Sequence, residues 1–176
     1  QDFFTNALGS LMCDANGFSE LLYKIITRIR VRSIVSEGAT MVTGGLGGLG
    51  QLVAAADARS GTTHITLLGR SGKTHIMDHM LVVSATCVVM TRGDVSTAEE
   101  VVSSACASIA PVRCMLHASG LLRDAMIHNQ SVDAVAAVMA PKCAGIVQFD
   151  SETLARDMRM TVVFSSVASL LGSGGQ

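Results

Sequence analysis

From residue 38 onward, short apolar runs alternate with longer stretches whose apolar residues recur at helical spacing. Runs at 39–43, 64–69, 86–91, 112–117 and 160–165 predict strands, and stretches at 47–59, 97–109 and 131–148 predict helices. Strands that alternate with helices join through right-handed crossovers into a parallel sheet covered on both faces. The predicted class is therefore α/β, a doubly wound parallel sheet. Ahead of the helix at 97–109, Ser96 and Glu99 have the spacing of a capping box. Residues 1–37 follow a different pattern. Phe18, Leu21, Leu22, Ile25, Ile26 and Ile29 recur at helical spacing with Lys24, Arg28 and Arg30 between them, which predicts an amphipathic helix over 18–30. Its apolar face needs a surface to dock on. The chain thus divides into 1–37, a linker or the end of a preceding structural half, and 38–176, the sheet-forming unit; neither an internal repeat nor a low-complexity linker is present.

The first predicted strand and helix are joined by Thr43-Gly44-Gly45-Leu46-Gly47-Gly48-Leu49-Gly50, five glycines in eight positions. Gly44, Gly48 and Gly50 fit T-G-x-x-x-G-x-G, whereas Gly45, Gly47 and Gly50 fit G-x-G-x-x-G. Both registers rest on the same physics. A residue without Cβ reaches positive φ and lets backbone approach a pyrophosphate, while the next helix aims unpaired N–H groups and its positive dipole end at the anion. The sheet is then Rossmann-like, with Thr43 to Gly50 as candidate cofactor contacts. The second strand ends in Gly69-Arg70-Ser71, about 20 residues past the last glycine. An acidic residue there would bind the ribose 2′-hydroxyl of NAD; Arg70 instead offers a planar cation with several donors to the 2′-phosphate of NADP. NADPH is the predicted cofactor, against the alternative of an exposed arginine in a β–α loop.

Composition narrows the partners. The 176 residues, 49% hydrophobic, suit one α/β domain, and with 3% aromatics and no Trp the core must be built from Ala, Val, Leu, Ile and ten Met. A net charge of −1 gives no general attraction to nucleic acid or to an anionic membrane, and neither is expected as a partner. The run Leu81 to Met90 is too short to span a bilayer, and the opening Gln-Asp-Phe-Phe lacks the basic stretch and apolar core of a secretion signal. Cysteines at 13, 87, 106, 114 and 143 are scattered without a C-x-x-C pair. They predict reduced, mostly buried thiols and a cytoplasmic location.

Ligands of a doubly wound sheet gather at the carboxyl ends of its strands. The loops there hold the glycine turn, Arg70-Ser71, Asp94-Val95, His117-Ala118-Ser119-Gly120 and Ser165-Ser166, a row of small or hydrogen-bonding residues suited to an extended cofactor. Two decoys fall away. Ser71-Gly72-Lys73-Thr74 copies the end of a triphosphate loop, but Leu67 stands where that loop requires its first glycine. His75 and His79, with Asp78 between them, lack a third ligand at a supporting spacing, so no metal is predicted.

The strings TGGLGGLG, LLGRSG, GDV, LHASGLLRDAMI, APKCAG and FSSVASLLGSGGQ, in this order and spacing, resemble the ketoreductase domain of modular polyketide synthases and the related animal-type fatty acid synthases. That family is a branch of the short-chain dehydrogenase/reductases, and the resemblance covers residues 38–176. It implies that Ser166 hydrogen-bonds the substrate ketone and that Lys142 is the catalytic lysine, a position that by itself reads as a solvated helix lysine. It further implies that Asp94 and Val95 meet the adenine and that His117, Ala118, Ser119 and Gly120 line the nicotinamide side. Hydride attack converts a neutral ketone into a developing alkoxide, so such a site needs donors aimed at that oxygen and an acid whose pKa a nearby cation lowers. The implied substrate is a 3-ketoacyl thioester on the phosphopantetheine of an acyl carrier protein, reduced to the 3-hydroxyacyl form in the company of other synthase domains.

The chain also departs from that family. The family's proton donor is a tyrosine whose spacing after the serine runs past Gln176, and the only tyrosine here is Tyr23, ahead of the cofactor motif. The asparagine after that tyrosine and the closing helix and strand fall beyond the same point, so the resemblance implies a domain incomplete at its C-terminus with little reductase activity by itself. Leu122-Arg123-Asp124 stands where a stereochemical Leu-Asp-Asp motif would be, and no Trp marks the opposite class, which favours a D-configured alcohol. Two other functions stay open: a non-catalytic nucleotide-binding module that keeps the cofactor turn, and a free-standing reductase of a small soluble ketone.

Overall fold

In a computed structural model of the chain, residues 38–73, 86–150, 158–166 and 168–172 are described. Their five strands, β1 Ala39–Thr43, β2 His64–Gly69, β3 Cys87–Arg92, β4 Val112–His117 and β5 Met160–Val163, form one sheet in the order β3-β2-β1-β4-β5. Every pairing is parallel, as the alternating pattern predicts. The helices are α1 Gly48–Arg59, α2 Ala98–Cys106, α3 Val132–Met139, α4 Gly145–Asp150 and α5 Ala168–Leu171. The single helix expected over 131–148 is instead α3, a π-helical turn at Ala140–Ala144 and α4. Pro141 accounts for the break, since it has no N–H to donate and its ring crowds the preceding turn. The amphipathic helix expected at 18–30, Tyr23, and the group His75, Asp78 and His79 lie outside the described residues.

The sheet is covered on both faces because consecutive strand residues point to opposite sides and both sides are apolar. Val42, Leu67 and Leu116 pack with Val53, Ala54 and Ala58 of α1, while Met41, Leu68 and Met115 pack on the other face with Val101 of α2 and Val95. β1 is buried at every position and pairs with β2 on one side and β4 on the other. The chain crosses from one side of the sheet to the other there, which opens a crevice at the carboxyl ends of β1 and β4.

Two local expectations are corrected. The Ser96/Glu99 capping box does not form. Asp94 Oδ1 accepts from the Ser96 N–H at 2.9 Å and the Ser96 hydroxyl at 2.7 Å, and Glu100 reaches back to the Asp94 N–H. An aspartate two residues upstream offers its carboxylate to close this turn, and Ser96 becomes the donor. The thiols are not mostly buried either. Cys114 is buried in β4, but Cys87 begins the outer strand β3, Cys106 ends α2 and Cys143 sits in the π-helical turn, all three free and exposed.

Candidate active site

The crevice is a cleft of about 780 Å³ walled by the glycine turn, the end of β2, Gly93 to Val95, Ala118 to Leu122, and Pro141 with Lys142. Gly44 has φ +66°, and a Cβ on it would lie 2.7 Å from the Ala118 carbonyl oxygen and 2.9 Å from Ser119 Cα. The turn therefore rests directly on the loop after β4. Gly44 belongs to the T-G-x-x-x-G-x-G register alone, so the geometry favours that register of the two. Gly48 is the opposite case: no atom lies within 4 Å of the place its Cβ would occupy, and it faces the cleft. α1 starts there with neither a side-chain cap nor an acidic residue in its first turn. The Gln51 N–H reaches Gly47 O at 2.9 Å, which leaves the Gly48, Leu49 and Gly50 N–H groups ahead of the helical ladder. Bare donors at the positive end of a helix dipole are what an anionic pyrophosphate needs.

Of the residues singled out from sequence, Gly44, Leu46, Gly47, Gly48, Leu49, Gly50, Arg70, Ser71, Asp94, Val95, Ala118, Ser119, Gly120 and Lys142 line this one cleft. The Ser96 hydroxyl and N–H hold the Asp94 carboxyl below its ordinary range; burial opposes them, and Arg70 adds a smaller push in their direction. Thr43, Gly45 and His117 stand behind the wall. Gly45 donates its N–H to Leu68 O at 3.0 Å, and Thr43 Oγ1 lies 2.8 Å from His117 Nδ1. His117 is thus not among the residues that line the cleft, although the sequence placed it there. As the last residue of β4 it turns its ring into the interior, 2% exposed. Burial lowers its pKa from the ordinary 6.5, with the Pro141 backbone acting the other way.

Ser166 follows β5 on the same edge of the sheet, where the Phe164 N–H donates to His117 O at 3.1 Å. Its side chain is exposed, its Oγ accepts from the Ala168 N–H at 3.2 Å, and it is not among the residues walling the cleft. Lys142, exposed in the π-helical turn, is. A second cleft of about 430 Å³ lies between the loop 121–130 and α3, lined largely by apolar side chains including Val135, Val138 and Met139. It shares Leu121, Leu122 and Lys142 with the first. Among the described residues no group of His, Cys, Asp and Glu could hold a metal, and no helix is long and apolar enough to cross a membrane.

The glycine turn, Arg70 and Lys142 line one cleft, and residues 38–176 match the family model of the KR domain. The chain belongs to the KR, or ketoreductase, domain family. This ketoreductase sequence is 36% identical over 149 residues to a phenolphthiocerol/phthiocerol polyketide synthase of Mycobacterium tuberculosis, covering 81% of this chain and 8% of that protein. It is 36% identical over 146 residues to the phthioceranic/hydroxyphthioceranic acid synthase of Mycobacterium bovis, covering 80% of the chain and 7% of the synthase. The chain therefore spans less than a tenth of these relatives. Its fold matches an A-type ketoreductase from a modular polyketide synthase with a TM-score of 0.72 and 27% identity, over 83% of this chain and 33% of that one. The ketoreductase of the first module of phoslactomycin biosynthesis in Streptomyces sp. HK803 matches at 0.70 and 30% identity, over 84% and 36%. Membership makes the chain an oxidoreductase domain of a nicotinamide-binding family with a Rossmann-like sheet.

In this ketoreductase the second cleft as a whole and the wall residues Leu121 and Pro141 are what residue-level reading missed, whereas Leu122, Arg123 and Asp124, singled out by the resemblance, line that second cleft. A signal existed: Val135, Val138 and Met139 repeat at helical spacing just after an apolar Leu121-Leu122 pair. On the sequence alone, that stripe reads as helix core.

Proposed function

We propose that this ketoreductase domain uses NADPH to reduce a 3-ketoacyl thioester, presented on the phosphopantetheine arm of an acyl carrier protein, to its 3-hydroxyacyl form. The reaction would serve polyketide or fatty acid synthesis in the cytoplasm, with other synthase domains as neighbours. The observation that carries this reading is the junction of the two clefts at Lys142: a glycine-walled cleft ending in Arg70 on one side, and a mostly apolar cleft on the other. A dinucleotide suits the first and an acyl chain the second.

In this reading the α1 N–H groups hold the pyrophosphate, Arg70 and Ser71 take the 2′-phosphate, Asp94 and Val95 border the adenine, and Ala118 to Gly120 border the nicotinamide. NADPH, when bound, supplies the hydride, and a general acid, a tyrosine in this family, would supply the proton that completes the hydroxyl. Ser166 donates its hydroxyl proton in a hydrogen bond to the ketone oxygen, and the Lys142 cation stabilises negative charge as it develops there. Tyr23 is the single tyrosine and precedes the glycine turn; the chain on its own is proposed to bind NADPH without turning substrate over. Titration of cofactor fluorescence tests the cofactor assignment. Loss of a charge-assisted pair costs on the order of 1.5–3 kcal/mol, so NADPH should bind about ten- to a hundredfold more tightly than NADH, and Arg70→Ala should erase most of the gap. Equal affinity of the unmodified chain for both cofactors would contradict it.

A further inference from the structure

The turn that carries Lys142 has few anchors. α3 ahead of it buries no residue, and Lys142 and Cys143 are exposed. Gly145, whose N–H closes the wide turn onto Ala140 O, is buried, and a Cβ there would lie 2.9 Å from His117 Cε1 and 3.2 Å from both Val95 methyls. The turn therefore sits on the edge of the His117 ring. On its other side that ring meets Thr43, with Oγ1 2.8 Å from Nδ1, and Thr43 is the residue before the left-handed Gly44. Nε2 is shut off from water and has no hydrogen-bond partner among the described residues. The Thr43 hydroxyl can donate to or accept from Nδ1 according to the ring's tautomer, so either neutral form keeps this pairing.

We propose that His117 is a positioning residue, a buried strut between Thr43 and the π-helical turn that holds Lys142 at the junction of the two clefts. The ring lines neither cleft, so it acts through Lys142. Its geometry explains why a polar side chain occupies an otherwise apolar strand end: Nδ1 pairs with the Thr43 hydroxyl while the Cε1 edge of the same ring supports Gly145, 102 positions further along the chain.

This inference rests on the ketoreductase reading, so its test has an arm independent of turnover. Thr43→Val keeps the side-chain shape and removes the hydroxyl, and His117→Ala removes the strut. In both, amide hydrogen exchange at residues 142–146 should accelerate while β2 keeps its protection. In the natural polypeptide that carries these residues, kcat with a 3-keto thioester should fall about ten- to a hundredfold. The NADPH Kd should stay within about threefold, and Thr43→Val should cost nothing further in a Lys142→Ala background. Unchanged exchange at 142–146 in Thr43→Val would overturn the strut whether or not the protein turns over. So would a kcat loss that persists without Lys142, or one matched by an equal loss of NADPH affinity. Turnover by the unmodified polypeptide judges the ketoreductase reading separately.

Discussion

α1 lines the first cleft and α3 the second, and the two helices are held in different ways. α1 buries eight of its twelve residues, most of them alanine or glycine, and its entry turn packs backbone against backbone. α3 buries none of its eight, Val132 is 85% exposed, and the turn after it rests on one histidine ring and one valine. Close packing of small residues makes the cofactor wall a fixed surface. The Lys142 wall depends on a few contacts, so small changes there can shift it without unfolding the sheet. Binding and chemistry should therefore separate by mutation.

The sharpest break in that contrast lies inside the glycine turn itself. A Cβ on Gly50 would collide with the Gly44 backbone, whereas a Cβ on Gly48 meets open cleft. Gly50→Val should lower stability by about 3 kcal/mol or more and abolish NADPH binding. Gly48→Val should leave the urea midpoint nearly unchanged yet weaken NADPH at least about tenfold, because its side chain fills pyrophosphate space. A Gly48→Val chain that binds normally would show that the turn does not hold the cofactor.

On the Lys142 wall the effects should move to the rate. Lys142→Ala and Ser166→Ala in the natural polypeptide should each reduce kcat about a hundredfold while the NADPH Kd changes by less than about threefold. Steady-state kinetics set beside fluorescence titration separates the two quantities. Wild-type kcat in both variants would remove these residues from the chemistry. A Kd that rises as far as kcat falls would mean the two walls are not separable.

The smallest expected effect is on stability against pH, and it links the walls. His117 has its pKa lowered by burial, so below the ordinary 6.5 the unfolded chain binds a proton that the folded chain resists, and stability falls as pH drops. Asp94, held low chiefly by Ser96, adds a second loss that begins as pH falls through its ordinary 3.8. His117 can contribute at most about 1.4 kcal/mol per pH unit across its window, and Asp94, more exposed and screened by solvent, less. Urea midpoints from pH 7.5 to 5 should fall in the parent and flatten in His117→Gln. An equal slope in both would assign the loss to other groups.

What could be read from the residues follows the same division. The glycine turn was legible because each backbone requirement there is written as a residue type, and Arg70 because its place after β2 is set by counting. The apolar runs at 39–43, 64–69 and 112–117 gave their strands because a sheet covered on both faces needs no polar alternation. His117 was placed on the right loop and given the wrong direction. Its inward turn depends on pairing with Thr43, 74 positions earlier, which no local pattern carries. Pro141 signalled a disturbance in the helix at 131–148, but that the outcome is a wide turn carrying Lys142 is decided by packing on His117 and Val95. The capping box failed for a related reason, since Asp94 competes for the role assigned to Ser96.

The central claim is that the two clefts meeting at Lys142 form one reductase site. It is tested most directly by following NADPH oxidation when the natural polypeptide that carries these residues is given a 3-ketoacyl thioester on its carrier protein. The account predicts consumption of NADPH matched by 3-hydroxyacyl product, little of either with NADH, and loss of both in Lys142→Ala. NADPH bound tightly but never oxidised in the presence of that substrate would contradict it and leave the chain a nucleotide-binding module.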